Sequence, residues 1–556
     1  MSNSCIPFDT MPFINSPKEH NPYLKDLFNC IPYEDREEEL LARYVKNNTE
    51  NKGEIFTSQN EVINFKDVDN LINKYNEKLY YRHRETSKLV AEKGQIFINE
   101  YKNDTIKIIR KLQELTSKCI KNYTSTVESW LQKPGSGVDC EEKKQILKTL
   151  FQNSCVGVLY GSAGTGKSTL INHIANIFND SEKLFLAQTN PAVDNMKRKI
   201  HAANRDCCTI AKFLSSNEIK EYDLLVIDES STVSNRDMLK VLEKGQFKLL
   251  LVVGDMYQIN SIRFGNWFSA LGTFLPENTV HELHAVFRSD DKQLKAFWDK
   301  VRNLDGDISE LITQNDYAAN LDSSIFNHAE ENEIILCLNY DGLYGINNIN
   351  RYLQENNPNE PVSWGIKQYK IGDPILFTDS QRFAPVIFNN TKGIIRDIKI
   401  VSEGIMGESI QFDIELDKPI NSLDAKKSNL ILVDEAESGN SIVRMSFNKL
   451  LNQDDDLYSD SNKVIPFQVA YAVSIHKAQG LEYNSVKIII TDEVDELITH
   501  NIFYTAITRA QKKLKIYWTP EVQQKVLSNL KKRDIGKDVG ILSSYIEPMG
   551  SRKKKK

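Results

Sequence analysis

The chain has 556 residues, 40% of them hydrophobic and 26% charged, and a formal net charge of −6, a globular balance that excludes collagen-like, low-complexity and disordered chains. No apolar run approaches the ~18 residues of a membrane-spanning helix, and Met1–Ser2–Asn3–Ser4–Cys5–Ile6–Pro7 lacks the regions of a signal peptide. Eight cysteines without a C-x-x-C pair argue against a disulfide framework or zinc site and for a reducing, cytoplasmic setting with no membrane contact.

Residues 1–135 are expected to form a mainly helical accessory domain. The first sixty are loop-rich, with Pro7, Pro12, Pro17, Pro22 and Pro32, and helical spacing follows, as at Ile106, Ile109, Leu112 and Leu115. No nuclease-like or metal-ligand cluster is legible there, so docking is favoured over a second catalytic site. Pro134–Gly135–Ser136–Gly137 reads as the closing linker. Over 136–290 the apolar strands Val156–Tyr160, Leu184–Ala187, Leu224–Ile227 and Leu249–Val253 alternate with helical stretches, which predicts a parallel sheet covered on both faces. A helical connection at 291–330 leads to a second α/β domain over 331–387 and 464–520. Between its halves, 388–463 is β-rich, with runs such as Gly393–Ile400, Ser409–Leu416, Asn429–Val433 and Ser441–Phe447 that suggest a small barrel. Residues 521–556 read as a C-terminal tail ending in the solvated basic run Arg552–Lys556.

The chemistry centres on Gly161–Ser162–Ala163–Gly164–Thr165–Gly166–Lys167–Ser168, which fits the phosphate-binding loop G-x-x-x-x-G-K-[S/T] and lies between a strand and a helix. Its glycines let backbone N–H groups cradle phosphate oxygens at a helix N-terminus. Lys167 supplies charge at the β- and γ-phosphates, and Ser168 a hydroxyl for Mg²⁺. Leu224–Leu225–Val226–Ile227–Asp228–Glu229 is an apolar strand ending in two carboxylates. Asp228 is placed to hold Mg²⁺ and Glu229 to orient and deprotonate the attacking water. A third strand ends in Gly254–Asp255–Met256–Tyr257–Gln258, where Gln258 is placed to report the γ-phosphate.

Read in order, these motifs resemble superfamily 1 helicases, and within them the RecD-like, Dda-like 5′→3′ branch, over about residues 140 to 520. Ala187–Gln188–Thr189–Asn190–Pro191 looks like motif Ia and Thr209–Ile210–Ala211–Lys212 like motif Ib, with Ala211 where histidine is common. Val286–Phe287–Arg288 resembles motif IV, the segment from Ala472 to Glu482 motif V, and Tyr504–Thr505–Ala506–Ile507–Thr508–Arg509–Ala510 motif VI. The resemblance implies an α/β fold of two RecA-like parallel-sheet domains with an SH3-like β-barrel insert in the second and a mainly helical N-terminal domain. It implies ATP and Mg²⁺ as cofactors, bound between those domains, with Arg288 and Arg509 reaching the γ-phosphate. Gln145, the loop 161–168 with Thr169, Gly480 and Glu482 complete the implied ATP site, a solvated helix position being the alternative for Gln145. Single-stranded DNA, or RNA, is the implied track, with Thr189, Asn190, Thr209, Ser474 and His476 on its backbone. Phe264 and Trp267 are candidates for base stacking, and core packing is the equal alternative.

Two departures stand out. Only nine residues, Ser215–Asp223, separate motif Ib from the strand to Asp228, which leaves little room for the strand-separating hairpin of related helicases. Motif III also lacks the usual prolines after Gln258. The sequence therefore predicts an ATP-dependent 5′→3′ DNA helicase or translocase. The alternative is a nucleic-acid-sensing ATPase switch, signalling in a repair or anti-phage complex through a protein partner on the N-terminal domain.

Overall fold

The structure, a computed structural model, describes residues 36–549 except 119, 134, 260, 262, 288, 290, 328–331, 380, 381, 385, 403–407, 429, 449–463 and 495–497. Residues 1–35 of the stretch read as loop-rich, the Arg288 assignment and the basic run Arg552–Lys556 therefore lie outside the described residues, and the helix Glu37–Asn47 corrects the loop-rich reading for the rest of the first sixty. The chain divides into two compact units: Met1–Gln188, Met196–Arg288 and Lys531–Lys556 form one, and Thr189–Asn195 with Ser289–Leu530 the other.

The first unit begins with the helices Glu37–Asn47 and Val68–Lys78 and a small antiparallel sheet, β1 (Thr57–Ser58), β2 (Leu89–Glu92) and β3 (Gln95–Ile98), in the order β1-β3-β2. Leu41, Val45, Leu71, Ile72, Tyr75 and Ile96 form its core. The 18-residue helix Asn99–Thr116 buries Ile106, Ile109 and Leu112, the stripe that the three-residue spacing predicts. The sheet went unforeseen because strands of two and four residues are too short to show alternation.

Next come β4 (Val156–Gly161), β5 (Lys183–Ala187), β6 (Arg205–Thr209), β7 (Glu221–Ile227), β8 (Gln246–Gly254) and β9 (Val280–Leu283). They pair in the order β6-β5-β7-β8-β4-β9, every neighbour parallel. β4 is buried along its whole length, as a strand with sheet neighbours on both sides and helices over both faces must be.

The expected C-terminal tail is corrected by the structure, since Pro520–Asn529 and Gly536–Leu542 are helices. The second returns to the first unit. Leu542 and Ile546 pack with Phe97, Ile106, Ile109, Phe264 and Phe274. Asp538 accepts hydrogen bonds from the N–H groups of Ile55 (2.8 Å) and Phe56 (3.3 Å), and the Arg533 guanidinium donates to the Gly53 carbonyl. Gly53 has φ +77°, a backbone that L side chains rarely adopt, and a Cβ there would press on the Arg533 guanidinium, so glycine leaves that side chain its place. What fixes this strap is a set of partners some 480 residues away in sequence, which local spacing cannot reveal.

Burial pushes the Asp538 carboxyl up to about 6, against the pull of its two amide donors and Arg533. A carboxyl whose folded pKa is raised lends stability below its unfolded pKa and loses it as pH rises through the folded one. The wild-type stability relative to Asp538→Asn should therefore fall by up to about 3 kcal/mol between pH 4 and pH 6.5. Urea unfolding of both proteins across that range checks this, and a difference that is flat or grows with pH contradicts it.

In the second unit β10 (Ala318–Ala319) and β11 (Glu333–Cys337) precede a hairpin of β12 (Val362–Trp364) and β13 (Lys367–Tyr369). Then come β14 (Pro374–Phe377), β15 (Lys392–Ser402), β16 (Glu408–Leu416), β17 (Ile431–Glu435), β18 (Ser441–Asn448) and β19 (Phe467–Val469). β20 (Ala472–Ser474), β21 (Tyr483–Ile489) and β22 (Ala510–Tyr517) complete the set. A parallel sheet runs β10-β22-β21-β11-β20, and a separate antiparallel sheet runs β17-β18-β16-β15-β14-β19. No pairing joins β17 to β19 among the described residues. The antiparallel sheet reaches beyond the expected 388–463 to take in β14 and β19. The apolar run Gln468–Val473 is divided at Ala470–Tyr471, its first part in one sheet and its last in the other. A short apolar run carries no sign of which sheet it joins.

Candidate nucleotide-binding site

The loop after β4 has the conformation its glycines allow. Gly164 and Gly166 adopt φ of +81° and +80°, and Gly166 caps the helix Lys167–Ile177. A Cβ on Gly161 would sit 2.7 Å from Thr165 Oγ1, and that hydroxyl donates to the Ser162 carbonyl at 3.0 Å. Lys167 Nζ lies over the loop, donating to the carbonyls of Gly161 and Ser162 at 2.9 Å each. Ser168 and Thr169 stand in the first turn of the helix, half-buried and exposed, where backbone N–H groups and the helix dipole favour an anion.

Strand pairing brings the other motifs to the same sheet edge. β7 ends at Ile227, and β8, which separates it from β4, ends at Gly254. Asp228 is buried, its Oδ1 accepting the Glu229 N–H at 2.8 Å. Burial raises its carboxyl above the ordinary range, opposed by that amide and by the nearby positive charge of Lys167. Glu229 has φ +50°, a left-handed backbone that costs a non-glycine residue about 1–3 kcal/mol and concentrates at working sites. Asp255 is buried and accepts the Tyr257 N–H at 3.1 Å, and Gln258 is half-buried one residue further on. A serine hydroxyl and a buried carboxylate are hard oxygen donors, so Ser168 and Asp228 fit Mg²⁺.

Lys143 escaped the sequence reading. It is fully buried, with Nζ 2.6 Å from Asp139 Oδ2 and 4.4 Å from the Phe287 ring centroid. A Cβ on Gly166 would meet that Nζ at 2.5 Å, so this ammonium flanks the phosphate loop. The Phe287 N–H donates to the Gly164 carbonyl at 2.7 Å, bracing the loop from another side. The available signal was helical spacing: Lys143, Ile146 and Leu147 share the buried face of Glu141–Thr149. Gln145 is on the exposed face and donates to Glu141 at 3.3 Å.

In the second unit, motifs V and VI are tied together by Arg509. The residue is 2% exposed, and its guanidinium donates to Thr505 O (2.9 Å), Leu481 O (3.0 Å) and Thr508 Oγ1 (3.3 Å). The arginine is thus turned into its own unit in this structure. Gly480 has φ +78°, and Glu482 Oε2 accepts from Gln511 Nε2 at 2.8 Å. Ser474 is buried with Oγ accepting the Lys477 N–H at 3.2 Å, whereas His476 is exposed.

Thr189 and Asn190 are half-buried at the start of the helix Asn190–Lys199. Thr209 caps the helix Ile210–Ser215, accepting the Lys212 N–H at 3.2 Å. The two aromatic candidates are core residues, which corrects the stacking expectation. Phe264 is 5% and Trp267 0% exposed, and the Trp267 indole N–H donates to the Val233 carbonyl at 2.8 Å. Neither ring has a face left for a base. Trp267→Ala should cost about 3–5 kcal/mol of stability, read as a lowered urea midpoint, and an unchanged midpoint would contradict the core assignment.

A parallel α/β unit with a phosphate loop on one strand and paired carboxylates at the tip of another defines the first unit as a P-loop nucleotide-binding domain. An AAA domain family matches residues 140–320 and a UvrD-like helicase C-terminal domain family matches residues 469–517. An uncharacterized protein of Methanocaldococcus jannaschii is 23% identical over 576 residues, covering 80% of this chain and 46% of that protein. The RecBCD enzyme subunit RecD of Haemophilus influenzae is 20% identical, covering 68% of this chain and 69% of that subunit. The ATP-dependent RecD2 DNA helicase of Deinococcus radiodurans is 24% identical, covering 67% and 48%. The chain spans about half the length of the archaeal protein and of RecD2. With the ordered motifs, these likenesses make the chain similar to the RecD-like superfamily 1 helicases.

Proposed function

We propose that the chain is an ATP-driven motor that moves 5′→3′ along single-stranded DNA in the cytoplasm. The observation that carries this reading is the convergence, at one edge of one parallel sheet, of the phosphate loop, the Asp228–Glu229 pair and Gln258. Lys167 and the loop amides hold the β- and γ-phosphates, and Glu229 orients water and takes its proton. Mg²⁺, when held by Ser168 and Asp228, neutralises phosphate charge. The resemblance adds Gln145, Arg288, Gly480, Glu482 and Arg509 as the remaining ATP-binding residues. Thr189, Asn190, Thr209, Ser474 and His476 contact the strand's backbone, and RNA remains a second track of the same chemistry. The antiparallel insert acts as the SH3-like barrel of this branch, and the N-terminal residues take a protein partner.

A second reading is favoured by one observation. Residues 216–220 link the helix Ile210–Ser215 to β7 with no hairpin, so an ATPase switch that senses nucleic acid without unwinding it also fits. Displacement of streptavidin from biotinylated single strands separates the two. Release from the 3′ end and not the 5′ end supports the 5′→3′ motor, whereas ATP turnover with no release from either end sinks it.

A further inference from the structure

The sequence from Lys78 to Arg84 reads Lys–Leu–Tyr–Tyr–Arg–His–Arg and contains no acidic residue, in a chain whose net charge is −6. In the structure Tyr80, Tyr81, Arg82, His83 and Arg84 are all exposed. Tyr80 and Tyr81 are 40% and 63% exposed, although each carries apolar surface that folding would ordinarily cover. Their ring centroids are 4.6 Å apart. Arg82 Nε donates to Tyr81 Oη at 3.0 Å, with its guanidinium carbon 5.6 Å from the Tyr81 ring centroid. His83 stands edge-on to Tyr80 at 5.8 Å. The neighbouring Glu85 is paired with Lys88 at 2.8 Å, which offsets its charge.

The loop is held in place from beneath. The Asn76 side chain pairs with both backbone groups of Leu89 at 2.9 Å, Tyr75 Oη donates to Ser87 O at 3.4 Å, and Asn99 Nδ2 donates to Glu85 O at 2.7 Å. A fixed loop presenting two aromatic rings among two guanidiniums and an imidazole has the two elements that hold an unpaired nucleic-acid strand: π faces for bases and cations for phosphates. Duplex offers no free base face to such a platform.

We propose that Tyr80, Tyr81, Arg82 and Arg84 form a second single-strand contact, on the N-terminal residues and outside the motor motifs. This rests on the reading of the chain as a single-strand motor, and its test separates the two. The full chain and the variants Tyr80→Ala/Tyr81→Ala and Arg82→Ala/Arg84→Ala are titrated with fluorescein-labelled dT20 at several salt concentrations, and their ATP turnover without DNA is measured. The tyrosine pair should weaken dT20 binding about 10-fold at one salt concentration. The arginine pair should lower the slope of log affinity against log salt by about 1–2. Turnover without DNA should be unchanged in both. Wild-type binding of dT20 with unchanged affinity and slope in both variants overturns this contact and leaves the motor reading standing. Failure of the wild-type chain to bind dT20 overturns both. Turnover without DNA that falls in parallel with binding also overturns the contact, because the loop would then support the fold rather than the strand.

Discussion

Glu229→Gln should lower ATP turnover by about 10²–10⁴-fold, the usual worth of a positioned general base, while leaving nucleotide binding and the fold intact. The reason lies in what holds Glu229 in place. Its N–H donates to Asp228 Oδ1, and its carbonyl accepts the Thr232 N–H at 2.8 Å and the Thr232 hydroxyl at 2.7 Å. All three bonds engage the backbone and not the side chain of Glu229, so an isosteric amide keeps the left-handed turn and loses the basic oxygen. Lys167→Ala should abolish turnover for a different reason: it removes the cation over the loop and weakens nucleotide binding as well. Single-turnover hydrolysis beside equilibrium binding of a fluorescent ATP analogue separates these effects. Near-wild-type turnover by Glu229→Gln would remove the assigned base from the mechanism.

Arg509→Ala should affect stability and turnover together. Truncation leaves Leu481 O short of its Arg509 donor in a buried place, at about 1–3 kcal/mol, whereas Thr505 O keeps the Thr508 hydroxyl at 3.1 Å. The second unit should therefore be destabilised by about 1–3 kcal/mol. Turnover should remain severely reduced even well below the variant's melting temperature if the guanidinium also serves ATP. Arg509→Lys keeps the charge and loses the planar fork, so it should recover part of the stability and little of the turnover. A stable Arg509→Ala protein with wild-type turnover would contradict both roles.

The sequence made the nucleotide site legible because its chemistry is local. A phosphate loop must be contiguous, and strands ending in Asp228 and Gln258 announce themselves as apolar runs before polar tips. Lys143 was missed because its role depends on how the helix Glu141–Thr149 docks beside Gly166, which a motif does not record. Phe264 and Trp267 show the opposite failure. Aromatic residues just past a strand tip suit stacking and core packing equally in sequence, and only burial decides. The same holds for the strap at 531–546 and for the division of 468–473 between two sheets, both set by partners remote in the chain.

The most direct test of the central claim is steady-state ATP hydrolysis with and without single-stranded DNA, single-stranded RNA and blunt duplex, with Glu229→Gln as the blank. Turnover absent from the blank and strongly stimulated by single-stranded DNA is the result expected of a single-strand motor. Turnover indifferent to every nucleic acid would contradict it.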